Sequence, residues 1–143
     1  MEIEYGGFWR RFLAAIIDGI LISAVSFAVL YFILYWVLPN PDKEVLELIG
    51  ELMDSTFTLL YSLFLPVIWT GYTVGKKALG VKVQKVTGED VTFGTMLKRV
   101  VLSAIIYGIS LGILMLVSLV MLIAREDKRT VHDFIAGTHV IKE

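Results

Sequence analysis

Asp18 stands inside a long apolar run and is the residue best placed to do chemistry. An ionised carboxylate in hydrocarbon is expensive unless it meets a partner, a water-filled cavity or a proton, so such residues mark proton or ion pathways. Arg11 precedes it by seven positions. Seven residues are nearly two helical turns, which puts both side chains on one face, about 10 Å apart along the axis. Ala14 and Ala15 lie between them on or near that face and permit close approach of another helix. Two readings follow. One is an Arg–Asp network that pins helix packing, and the other is a proton- or cation-handling carboxylate beside a fixed positive charge. Asp133, in RTVHDFIAGTHV, is the third charged candidate. It can reach back to Arg11, cap a short helix, or pair with Arg129 four residues earlier.

Other chemistries find little support. The chain has no cysteine, which excludes a disulfide framework, a thiolate metal site and a cysteine nucleophile. His132 and His139 are too few and too scattered to make a metal ligand set, so neither a metal nor another cofactor is expected. Gly75-Lys76-Lys77 lacks the first glycine and the Ser/Thr of a phosphate loop. No serine elbow, HExxH or converging acid pair is present, and an enzyme is not expected. Lys76, Lys77, Lys82 and Lys85 are expected against anionic lipid head groups or a partner protein, at about 1 kcal/mol per lysine for the lipid contact. Glu44, Glu47, Glu51 and Asp54 form an acidic stripe, read as the solvated face of an amphipathic helix.

The elements that must position these residues follow from composition. Of 143 residues 57% are apolar and only 19% charged, and the mean hydropathy is +0.76. A soluble domain of this size has no interior large enough for so much apolar side chain. The excess lies in three stretches, Phe12–Leu38, Ser55–Val74 and Val100–Ala124. Each reaches the roughly 20 residues needed to span a bilayer. The first is also much longer than the roughly 7–15 apolar residues of a secretory signal.

A mainly α membrane protein of one domain, residues 1–143, is therefore predicted. Helix 1 covers about 8–38, an acidic amphipathic helix about 41–54 and helix 2 about 55–74. Pro66 is expected to kink helix 2, with Trp69 and Tyr72 as interfacial anchors. Period-two alternation in GVKVQKV, followed by TGED and VTF, predicts a small cytoplasmic β-hairpin at about 79–93. GTHVIK supplies a third strand, after a short helix stopped by Gly137. A helical hairpin at about 94–124 and a cytoplasmic tail at 125–143 complete the chain.

Charge placement sets the orientation. Near-equal totals of 13 Lys+Arg and 14 Asp+Glu give no bias towards nucleic acid. The 40–54 loop nevertheless holds a single cation, Lys43, among its acids. The positive-inside rule puts the N-terminus and the 75–99 loop in the cytoplasm of a multi-pass plasma-membrane protein. If residues 100–124 cross once, the four tail cations land outside. If the stretch enters and returns at Tyr107–Gly112, every cation but Lys43 shares the cytoplasmic side. The hairpin is the favoured reading and a single third span the alternative.

Three segments carry a family resemblance: GFWRRFLAAIID at 7–18, VGKKALGVKVQKVTGEDVTFG at 74–94 and RTVHDFIAGTHVI at 129–141. Together they resemble the RDD family of small prokaryotic membrane proteins, named for one arginine and two aspartates. The matching positions are Arg11, Asp18 and Asp133, and Gly75 and Gly80 match the family's G-K-x-x-L-G segment. The acidic 40–55 insert is the main departure. The resemblance implies transport of unidentified ligands, with some members similar to sodium/proton antiporters. On these grounds the expectation is a small homo-oligomeric transporter of protons or monovalent cations, using Asp18 beside Arg11. The alternative is a non-transporting accessory protein whose charge network fixes the helices and whose basic face binds anionic lipid or a partner.

Overall fold

The computed structural model describes residues 2–143. Two helices dominate it, α1 (Phe8–Trp36, 29 residues) and α2 (Lys43–Ile68, 26 residues). Both are long and apolar enough to cross a membrane. At 1.5 Å per residue they run about 44 and 39 Å. The acidic segment and the second apolar stretch are a single helix, because nothing between Asp42 and Leu65 breaks the backbone ladder. That helix ends at Ile68, short of the expected 74. Pro66 lies within its last turn, and the helix continues past it to Ile68.

The chain then reverses through Thr70 and Gly71, both at positive φ. Gly71 is required there, since a Cβ would collide with the Val83 carbonyl. Thr73 caps the short helix α3 (Val74–Ala78), its side chain accepting from the Lys76 N–H. Strand β1 (Val81–Lys85) follows, but it does not form the expected hairpin with Val91-Thr92-Phe93. The Thr92 side chain accepts from the Thr95 N–H and starts helix α4 (Phe93–Leu97) instead. β1 pairs antiparallel with the tail strand β2 (Thr138–Lys142), from Val81 opposite Lys142 to Lys85 opposite Thr138. Val81, Val83 and Val140 turn inward from this two-stranded sheet onto Leu63, Val91 and Met96, forming the main apolar core.

The third apolar stretch folds back on itself. After α4 come a π-helical turn (Lys98–Leu102) and α5 (Ser103–Ile109). Leu111 and Gly112, both at positive φ, then reverse the chain into α6 (Ile113–Ala124). The 12 residues of α6 extend about 18 Å, well short of the roughly 30 Å of a hydrocarbon core. Tyr107 and Ser118 hydroxyls, 2.7 Å apart, join the two arms. The tail adds α7 (Val131–Ala136), closed by Gly137 in the left-handed conformation. Both chain ends meet at the sheet: the Gly6 N–H donates to the Val140 carbonyl (2.9 Å) and Lys142 pairs with Glu4 (2.6 Å).

Candidate functional site

Asp18 projects from α1 and gathers three donors from two other parts of the chain. Tyr61 of α2 donates its hydroxyl to Oδ1 at 2.5 Å, and the Gly75 N–H donates to the same oxygen at 2.7 Å. The Thr73 hydroxyl donates to Oδ2 at 2.6 Å. Thr73 thus faces two ways, capping α3 through the lone pair that accepts Lys76 N–H while giving its proton to Asp18. Tyr61 is itself fixed by the Val74 N–H at 3.0 Å. Gly75 approaches α1 so closely that a Cβ would strike the Ala14 carbonyl, and Ala14 is buried at the crossing.

Arg11 does not pair with Asp18, although helical spacing puts them on one face. It turns instead to Asp133, with Nη2 on Oδ2 at 2.8 Å and Nη1 on the Lys128 carbonyl at 3.1 Å. Arg99, in the π-helical turn, donates Nη1 to Oδ1 of the same carboxylate and to the Thr138 hydroxyl at 2.7 Å. The expected single network is therefore two clusters. The physical reason is that Asp133 is fully buried and needs compensating cations, whereas neutral donors already engage Asp18. Asp133 also closes a capping box with Thr130, accepting from its N–H and its hydroxyl. Arg129 does not pair with it and lies over the Phe134 ring. Burial pushes the Asp133 carboxyl up, but the Arg99 and Arg11 guanidiniums outweigh it and hold the group well below the usual carboxylate range.

Both clusters border one open cavity of about 750 Å³. Arg11, Asp18, Lys76, Arg99, Tyr107 and His132 line its charged and hydrogen-bonding end. Arg99, Ser103 and Tyr107 recur at four-residue spacing, so one face of the third helical segment meets it. The Tyr107 hydroxyl lies 2.9 Å from His132 Nδ1, tying α5 to the tail. Burial, reinforced by Arg99, pushes the His132 imidazole down to about 3. Lys76 is pushed down to about 7, first by burial and then by Arg99 and Arg11.

The four lysines do not share one surface. Lys76 lines the cavity, and Lys77 lies 4.1 Å over the Tyr72 ring. Lys82 pairs with Glu143 at 3.0 Å and Lys85 with Glu89 at 3.4 Å. Tyr72, read as an interfacial anchor, is buried. Asp54 is exposed like the rest of the acidic stripe, but it also accepts from Ser26 of α1 and lines the cavity. Its neighbours Thr58, Tyr61 and Ser62 follow at helical spacing on the same face, a signal present in the sequence. Arg99 carried no such local signal, being one cation among several before an apolar run.

The RDD family profile matches residues 5–137. The uncharacterized protein YckC of Bacillus subtilis (strain 168) is 38% identical over 134 residues, covering 94% of this chain and 82% of the relative. YxaI of the same organism, also uncharacterized, is 35% identical over 153 residues, covering 94% and 95%. No solved structure matches.

Proposed function

The chain belongs to the RDD family, and from that premise we propose that it is a small proton-coupled membrane transporter with Asp18 as the coupling carboxylate. The observation that carries this reading is the position of Asp18: a carboxylate on the cavity wall that ties α1 to α2 and α3 through Tyr61, Thr73 and Gly75. A carboxylate accepts all three bonds, whereas its protonated form places a hydrogen on one oxygen and cannot accept every donor as before. Taking up a proton therefore loosens α3 from α1, and α3 carries Lys76 at the cavity. Arg11, Asp133 and Arg99 remain locked beside it and close the inner end. The polar face Asp54, Thr58, Tyr61 and Ser62 offers protons a route from the opposite end.

A proton suits Asp18 better than a metal cation. Its neighbours present O–H and N–H hydrogens to it, while a hard cation needs converging oxygen lone pairs. The chain ends, the sheet and α7 lie together with most of the cations, and the positive-inside rule assigns that side to the cytoplasm. Lipid then covers exposed side chains such as Phe27 and Ile20 of α1. Two long helices and a short hairpin are too few for the two-repeat architecture of secondary transporters, and a second copy would supply the other half.

A second reading, a non-transporting accessory protein, draws on the same saturated carboxylate, since three donors are also what a structural pin would have. Flux separates the two. In proteoliposomes holding the full chain and an internal pH dye, an imposed sodium, potassium or phosphate gradient should drive proton movement with the unmutated protein. Asp18→Asn should abolish that flux while keeping the helical circular dichroism. Absence of proton movement with the unmutated protein under sodium, potassium and phosphate gradients would sink the transport reading.

A further inference from the structure

The cavity's charges do not balance at its inner end. Asp133 supplies one negative charge to two guanidiniums, Arg11 and Arg99. Lys76 adds a third cation and forms no ion pair among the described residues. Asp18 keeps its charge while holding three neutral donors, so three cations face two carboxylates and one positive charge remains; Asp54 stands two helical turns along α2 from Tyr61, engaged by Ser26. Arg99 spends only Nη1 on Asp133 and Thr138. Its Nε and Nη2 have no acceptor among the described residues, and these two atoms form the fork that binds a carboxylate or phosphate bidentately. Ser103 and Tyr107, one and two helical turns further along, bring hydroxyls to the same wall.

We propose that this end of the cavity is a binding site for an organic oxyanion, a carboxylate or phosphate held between the Arg99 guanidinium and the Lys76 ammonium. The volume falls within the range of roughly 300–1,000 Å³ usual for small-molecule sites. Ile22, Val100, Ala104 and Met115 line the wall beyond the cations, which fits an anion with an apolar portion. The inference rests on the transport reading only in naming its cargo. Asp18 and Lys76 meet through Thr73, so a proton on Asp18 and an anion on Lys76 act on the same short helix. A proton and a monoanion moving together carry no net charge.

The test is binding, measured on the purified full chain without any flux. Melting curves are recorded in detergent against inorganic phosphate and benzoate, with chloride at matched ionic strength as reference. They are recorded again in nanodiscs of phosphatidylcholine alone or with phosphatidylglycerol. The expected result is a saturable upward shift with a soluble oxyanion, with the anionic lipid, or with both. Dependence on Lys76 in the soluble arm identifies a free solute, and dependence in the lipid arm identifies a head group. Lys76→Gln should weaken the apparent affinity roughly tenfold, the loss of one charge-assisted contact. Lys76→Arg should retain binding, and Lys77→Gln, on the other side of α3, should leave it unchanged. No saturable shift in either arm, or equal shifts with and without Lys76, would overturn the proposal. Broadening of the phosphorus NMR line of phosphate by the unmutated protein, reversed by excess benzoate, decides the matter if Lys76→Gln does not fold. Binding without proton flux overturns the transport reading alone, and flux without binding overturns this one alone.

Discussion

Asp133→Asn removes a single charge shared by two buried guanidiniums. In the native protein Oδ2 accepts from Arg11 (2.8 Å) and twice from Thr130 (2.9 Å each), while Oδ1 accepts from Arg99 and, at 3.4 Å, from Thr138. The amide keeps one oxygen, enough for part of the capping box, and turns its NH₂ towards a cation. Removing one partner of a buried ion pair costs about 3–5 kcal/mol, because the other charge is left without compensation. Two charges are left here, so the upper part of that range is expected. At about 2–4 °C per kcal/mol, the melting temperature should fall by roughly 8–20 °C. The intrinsic fluorescence of the three tryptophans follows the transition. Asp127→Asn is the control. Its exposed pair with Arg125 should be worth no more than about 1 kcal/mol. Combining Asp133→Asn with Arg99→Gln should cost less than the sum of the two, since the double variant relieves one orphaned cation. A loss no larger than that of Asp127→Asn would refute the view that this triad clamps the tail to α1 and the third helical segment. The pH dependence has a definite sign. The depressed carboxyl contributes stability that is present above the ordinary aspartate value of 3.8 and lost as pH falls through its lower folded value.

Two further outcomes follow from the packing. Gly75→Ala places a Cβ against the Ala14 backbone, which cannot swing aside, so α1 and α3 must separate and the Gly75 N–H must leave Asp18. A loss of about 1–3 kcal/mol is expected, while Gly94→Ala, with open space around its Cβ, should be neutral or stabilising. Equal melting temperatures for the two variants would disprove the close crossing. The His132 imidazole stays neutral in the fold down to about 3, whereas the unfolded chain takes up a proton near 6.5. The unfolded state therefore binds more protons between these values, and stability should fall as pH drops, by up to about 1.4 kcal/mol per pH unit. His132→Gln should flatten the melting curve against pH between about 6.5 and 4, and parallel curves would exclude this contribution.

How much of the site was legible differs residue by residue. The 3.6-residue period put Asp18 and Arg11 on one face, but sharing a face says nothing about which partner is taken. Asp54 shares a polar face with Thr58, Tyr61 and Ser62, but nothing local says that this face meets a cavity. Its alternation marks β1 as a strand, and proximity in sequence favours a hairpin with the nearer partner. The Thr92 cap diverted that partner into a helix and left the tail strand to complete the sheet.

The sequence by itself determined what depends on neighbouring residues: where the apolar runs lie and which charged residues stand inside or beside them. Tertiary structure alone decided the partners. Arg11 and Asp133 stand 122 positions apart, and Arg99 and Asp133 stand 34 apart. No local periodicity encodes a choice among distant groups. Burial makes that choice, because a desolvated carboxylate without compensating donors or cations costs several kcal/mol, and the chain settles where each one is matched.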